Sequence, residues 1–137
     1  MGDARILYDS DCGLCRVCVA LVLAWDRRAR LRPVPLDSAA ADTLLGAMPA
    51  AERRASWHLV TGSGEVHSAG AAFPLLLRLL PGGRPLAGLA ARLPRPTERG
   101  YRWVADHRSQ IGRVVPGVVR RWADARILGS SSRPSDR

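Results

Sequence analysis

The chain has 137 residues and a mass of 14.8 kDa, a size that predicts one domain with a core of its own. Its 47% apolar and 24% charged residues exclude an intrinsically disordered protein. The net charge is +9, every basic residue is Arg, and Lys and Asn are both absent. Codons for Lys and Asn are rich in adenine, so this bias fits a GC-rich genome, and we expect no nucleic-acid partner.

The first third of the chain predicts a strand, a helix and a second strand. Residues 5–8 form a short apolar run that ends at turn-forming acidic residues. A helix is predicted from about Cys12 to Arg30. Apolar residues from Leu14 to Trp25 recur every three or four positions, which is typical of one helix face, and basic residues near the end suit the helix dipole. Residues 31–36 predict a second strand parallel to the first. Two prolines without amide donors favour an edge position for it.

The remainder predicts a hairpin and further helices. Residues 57–61 and 65–67 flank a Gly-Ser-Gly turn and predict a β-hairpin. Asp37 or Ser38 is expected to cap a short helix stopped by Pro49, and Ser68 to cap another. The expected helices cover residues 38–48, 68–80 and 97–115, with a last turn or two near 118–127.

This order of elements predicts an α/β fold of the thioredoxin-like type. We expect a small central sheet of about four strands with helices on both faces. Residues 1–128 are predicted to form one domain, with a helical extension from about residue 94. Residues 129–137 are rich in Ser and Arg and predict a disordered tail.

Neither a secretory leader nor a transmembrane segment is expected. The chain opens without a basic region followed by a long apolar run. The apolar run over residues 17–25 has about half of the ~20 residues that span a bilayer. We therefore expect a cytoplasmic protein, in which clustered thiols stay reduced and indicate redox or metal chemistry rather than structural bridges.

Two of the three cysteines stand at the start of the first predicted helix, as Cys12-Gly13-Leu14-Cys15. At this spacing their Cα atoms approach roughly 5–6 Å, within disulfide range. Unpaired amides and the positive end of the helix stabilise a thiolate at the first of them. We expect Cys12 to be the attacking thiolate and Cys15 the more buried resolving thiol. Both could instead be small apolar fillers of the helix.

Residues 8–15, Tyr-Asp-Ser-Asp-Cys-Gly-Leu-Cys, closely resemble the signature of the DCC family of thiol-disulfide oxidoreductases. The usual form has Gly where this chain has Ser10. The resemblance extends over about residues 4–113 and implies a thioredoxin-like fold with a Cys12/Cys15 redox pair. A protein-disulfide reductase type of enzyme is then expected. Its partner would be a disulfide-containing protein or a small-molecule thiol, and its electron donor is not readable from the sequence.

Two carboxylates and a third thiol lie close to Cys12 and Cys15 in sequence. Asp11 is expected to cap the helix by accepting an amide hydrogen bond, and Asp9 to handle a proton or brace the loop. Either carboxylate would also oppose thiolate formation at Cys12. One helical turn beyond Cys15, Cys18 is expected to be a buried, inert thiol, with a reserve resolving thiol as the alternative.

Four further residues are candidate substrate contacts. Gly13 lets a partner's chain approach the thiols, and Leu14 lies beside them. Ser56 and Trp57 occupy the place where thioredoxins carry a cis-proline, so they are expected to line the site, with core packing as the alternative for Trp57. Arg108 falls on the same helical stripe as Tyr101 and is expected to be partly buried or paired.

Two other functions stay open. Residues 95–137 hold 10 Arg against 4 acidic residues, so a noncatalytic thioredoxin-like module could bind an anionic partner through this basic surface. Solvated helix faces explain the same charge. The three cysteines could also carry a metal or a persulfide. However, a ferredoxin-type cluster needs a fourth cysteine, and His58, His67 and His107 are not spaced to complete a zinc site, so neither metal nor cofactor is expected.

Overall fold

The computed structural model describes residues 3–133. Its strands are β1 Ala4–Tyr8, β2 Leu31–Pro35, β3 His58–Val60 and β4 Val66–Ser68. Its helices are α1 Gly13–Trp25, α2 Ala39–Leu45, α3 Ala50–Ala55, α4 Phe73–Leu79, α5 Arg84–Arg92, α6 Pro94–Val114 and α7 Gly117–Ser131. A 3-10 turn, Ala69–Ala72, precedes α4. This mixed α/β architecture confirms the predicted thioredoxin-like class with extra C-terminal helices.

The four strands form one sheet in the order β2-β1-β3-β4. β1 and β2 are parallel, with Ala4 opposite Leu31. β3 runs antiparallel to both β1 and β4, so β3 and β4 form the predicted hairpin. As predicted, β2 lies at the edge, where its prolines face only one neighbouring strand.

Helices cover both faces of this sheet because successive side chains of a strand point to opposite sides. Ile6 and Tyr8 of β1 are buried in one cluster with residues of α1, α4 and α7. Leu7, between them, is buried in a second cluster with residues of α2. The strand therefore fixes α1 on one face, and the loop that joins them carries the cysteine motif.

Helix α1 ends at Trp25, before the predicted end at about Arg30. The buried Asp26 follows the helix, and its carboxylate accepts the Leu31 amide at 2.8 Å, which turns the chain into β2. Arg27, Arg28 and Arg30 thus lie after the helix, and the predicted interaction of this basic run with the helix dipole is wrong.

The short helices also differ in detail from the predictions. Ser38, one of two predicted caps, accepts the Ala41 amide at 3.3 Å. However, α2 ends at Leu45, before Gly46 with its positive φ of +50°, and not at Pro49 as predicted. Helix α3 was not predicted. Ser68 makes no side-chain cap; its hydroxyl bonds to His58 instead.

The C-terminal helix is much longer than predicted. α7 covers Gly117–Ser131 in place of one or two turns, because Ala123, Ile127 and Ser130 recur at helical spacing and are all buried. Helical structure therefore extends into the segment for which a disordered tail was predicted. Residues 134–137 of that segment lie outside the described residues.

One glycine should be indispensable to the turn between α4 and α5. A Cβ at Gly83 would overlap the Leu77 carbonyl oxygen, whereas a Cβ at Gly88, inside α5, meets nothing within 4 Å. We expect Gly83→Ala to lower the free energy of unfolding by about 1–3 kcal/mol and Gly88→Ala to raise it by about 0.5–1 kcal/mol. Urea unfolding of the two variants tests this, and equal effects would contradict it.

Protonation of His58 should destabilise the fold. The ring is buried, with Nε2 3.0 Å from the Arg53 carbonyl oxygen and Nδ1 2.6 Å from the Ser68 hydroxyl, and burial lowers its pKa from 6.5. Because the pKa of His58 is lower in the folded than in the unfolded state, the ring stabilises the fold at pH values above the pKa of the unfolded state. This contribution is lost as the pH falls. Urea unfolding at pH 7.5 and 5.5 should show the loss. It should diminish in His58→Gln and persist in His67→Gln.

Candidate active site

Cys12 occupies the cap position of α1. Its backbone is extended, with φ −87° and ψ 112°, and its Sγ accepts the Cys15 amide hydrogen at 3.3 Å. The predicted cap by Asp11 is therefore wrong: Asp11 is exposed, and its own amide donates to Asp9 Oδ1 at 3.0 Å. The sulfur of Cys12 thus lies where the unpaired amides of the helix converge.

Cys15 is half-buried in the first turn of the same helix. Burial raises the pKa of its thiol well above the ordinary value, and a hydrogen bond to the Cys12 side chain adds to the shift. The negative charge of Asp9 acts in the same direction, while Arg108 opposes it. The two thiols are therefore neighbours in contact, with Cys15 held as the protonated partner.

Asp9 braces the loop between β1 and α1. Besides Oδ1, which binds the Asp11 amide, its backbone carbonyl accepts the Cys12 amide at 3.4 Å. Its Oδ2 lies 3.9 Å from Arg108 Nη1 of α6. This confirms that Arg108 is paired, as its position on the helical stripe predicts. The loop-bracing alternative for Asp9 is observed directly.

A cavity of about 510 Å³ opens beside the thiols, between α1 and α6. Asp9 and Cys15 line it, together with three of the predicted contact residues, Leu14, Ser56 and Trp57. An aromatic series forms one wall, in which Trp57 packs on Phe73 with ring centroids 5.2 Å apart and Phe73 on Tyr101 at 6.1 Å. Trp57 also packs against the main core cluster, so both predicted roles hold. Phe73 was not predicted, since only the tertiary fold brings it to α1.

Gly13 faces a different neighbour from the one expected. A Cβ there would lie 3.8 Å from Arg120 Nε and 4.0 Å from the Gly112 carbonyl oxygen, and Arg120 also donates to that oxygen. A Cβ added at Gly112 would likewise lie 3.6 Å from the Leu14 amide nitrogen. The close approach that Gly13 permits is therefore used by the chain's own α6 and α7 rather than left open for a partner.

Cys18 is exposed and lines the cavity, so its predicted burial is wrong. Its thiol opens into the space between α1 and α6, which periodicity within one helix does not reveal. The surrounding protein nevertheless desolvates it, and this raises the pKa of the thiol.

Among residues 3–133, no three His, Cys, Asp or Glu side chains are grouped so that they could hold a metal ion. Within the same residues, no helix has both the length and the apolar character needed to cross a bilayer.

A sequence model of the DCC1-like thiol-disulfide oxidoreductases matches residues 6–114, from β1 to the end of α6. The chain belongs to this family. Membership in the DCC1-like family confirms the resemblance found in residues 8–15 and supports thiol-disulfide oxidoreductase activity on disulfide substrates. No curated protein and no solved structure matches the chain.

Removal of the cation near the thiols should make Cys15 less reactive. Arg108 favours the Cys15 thiolate, so Arg108→Met should raise the pKa of Cys15 further. Because Arg108 is partly exposed and screened by water, we expect alkylation of Cys15 near pH 8.5 to slow by about two- to fivefold. Peptide mass spectrometry of iodoacetamide-treated protein measures this. Arg113→Met, an exposed position on the same helix, is the control and should keep the parental rate.

Proposed function

We propose that the protein exchanges disulfides through Cys12 and Cys15, with Cys12 as nucleophile and Cys15 as resolving thiol. The observation that carries this proposal is the position of Cys12: its sulfur caps α1 and accepts the Cys15 amide. The family match also favours an oxidoreductase over a noncatalytic binding module.

The first step uses the asymmetry between the two sulfurs. The Cys12 thiolate attacks a substrate disulfide, forms a mixed disulfide and releases one substrate thiolate. Cys15, whose pKa is raised, stays protonated and does not compete as nucleophile. Its hydrogen bond to Cys12 stabilises the anion before attack.

The second step transfers a proton as well as electrons. Cys15 loses its proton and attacks the Cys12 sulfur, which closes the Cys12–Cys15 disulfide and expels the second substrate thiolate; that product takes up the proton. Asp9 lies near enough for its charge to act on Cys15, and both line the same cavity. We assign Asp9 as the group that carries this proton and positions the loop.

The reaction requires a separate reductant. Each turnover converts one substrate disulfide into two thiols and leaves the protein oxidised by two electrons. A dithiol or an equivalent thiol donor must then reduce the Cys12–Cys15 disulfide. We propose a reductase acting on a protein or small-molecule disulfide.

Serine substitutions at the three cysteines should give three different results. Cys12→Ser should lower reduction of a model disulfide at least about 1000-fold, because it removes the nucleophile. Cys15→Ser should accumulate a mixed disulfide at Cys12, since resolution is lost. Cys18→Ser is the matched control and should keep activity within about twofold. Coupled reductase assays and intact-mass spectrometry measure these outcomes.

Two results would contradict the assignment. Turnover by Cys12→Ser at the parental rate would exclude Cys12 as nucleophile. Trapped adducts on Cys18 rather than on Cys12 in the Cys15→Ser protein would give the attacking role to the third thiol.

A further inference from the structure

The cavity beside the thiols has the size and lining of a small-molecule site. Its volume of about 510 Å³ falls within the range of roughly 300–1,000 Å³ that is typical of ligand pockets. Most of its lining is aliphatic or aromatic, and two of the protein's three sulfurs open into it, those of Cys15 and Cys18.

The lining of the cavity extends along α1, with Cys15 near its N-terminal end. Cys15, Cys18 and Val22 line it from one face of α1, and seven residues of helix span about 10 Å. The paired charges of Asp9 and Arg108 lie with Cys15 at one end. Ala90 of α5 and Pro96 at the start of α6 belong to the apolar lining. An apolar chain can therefore lie along α1 while a sulfur attached to it stays near Cys12.

The other side of the motif is closed to an extended polypeptide. There α6 and α7 pack against α1, and the hydrogen bond from Arg120 to the Gly112 carbonyl lies next to Gly13. A protein substrate that laid its backbone along this part of α1 would have to displace those contacts. A small molecule that enters through the cavity would not.

We propose that the cavity binds the apolar arm of a small-molecule disulfide, which makes such compounds the preferred substrate class. This inference rests on the proposed role of Cys12. Cys12 attacks the sulfur that carries the apolar arm, and the leaving thiolate departs towards solvent. Cys15 then attacks Cys12, closes the internal disulfide and releases the apolar thiol, so that two electrons pass from the protein to the substrate.

The test compares two disulfides that differ in a single arm. With a thiol reductant in excess, kcat/KM is measured for hexyl 2-hydroxyethyl disulfide and for bis(2-hydroxyethyl) disulfide. Burial of a hexyl chain should favour the first compound by about tenfold or more. Ala90→Trp, which fills the cavity, should reduce this ratio to near one. Ala91→Trp, the exposed neighbour on α5 that does not line the cavity, should keep it.

A second measurement examines the cavity without catalysis. The Cys12→Ser/Cys15→Ser protein should bind the neutral apolar fluorophore N-phenyl-1-naphthylamine, and bound fluorophore should slow maleimide labelling of Cys18. Adding Ala90→Trp should abolish both effects, while Ala91→Trp should leave them unchanged.

The outcomes separate the two proposals. If Cys12 is required but the hexyl preference is absent, or is the same in Ala90→Trp, the cavity inference is wrong and the proposed function stands. Reduction of folded-protein disulfides only, with both small disulfides inert, would also overturn it. If Cys12→Ser keeps full turnover, the proposed function itself fails, whatever the fluorophore does.

Discussion

The hydrogen bond from the Cys15 amide to Cys12 Sγ is the contact on which the site depends. A helix start of this kind is usually capped by Ser, Thr, Asp or Asn, whose oxygens accept amide hydrogens more strongly than sulfur does. Asp11 is adjacent to the cap position and would be the stronger cap, yet Cys12 occupies it. The cap position thus places the Cys12 sulfur, rather than an oxygen, against the first amides of the helix. The same contact holds the two cysteines at one turn of separation.

This contact places the thiols of Cys12 and Cys15 in different environments. Cys12 lies outside the helix and receives an amide, whereas Cys15 lies inside it, half-buried against the cavity with a raised pKa. Asp9 and Arg108 act on Cys15 with opposite sign, and both effects are smaller than that of burial. In the proposed mechanism, Cys15 ionises only after the mixed disulfide has formed, because an early thiolate would repel the Cys12 anion. The raised pKa of Cys15 agrees with that proposed order of steps.

Sequence reasoning succeeded where structure is local and failed where it depends on packing. The apolar run in residues 5–8 and the Gly-Ser-Gly turn predict β1 and the hairpin, because strand and turn signals act over a few residues. The end of α1 was missed because the bond from Leu31 to Asp26, five residues away, decides it. The length of α7 depends on burial of Ile127 and its neighbours. The exposure of Cys18 depends on a space left between two helices. The cap was misassigned by one residue, since Asp11 and Cys12 are adjacent and only the backbone geometry distinguishes them.

The helix that the family match does not cover packs against the helix that carries the cysteines. The match ends at residue 114, where α6 ends, and α7 then packs back on α1. Arg16 of α1 lies 3.3 Å from Asp124, and Arg120 reaches the Gly112 carbonyl beside Gly13. These contacts close one side of the cysteine motif and leave the cavity on the other. In the proposed mechanism the motif supplies the chemistry, while α6 and α7 shape access to it. Selectivity can then differ between proteins that share the Asp-Cys-x-x-Cys signature, because it depends on residues far from that signature in sequence.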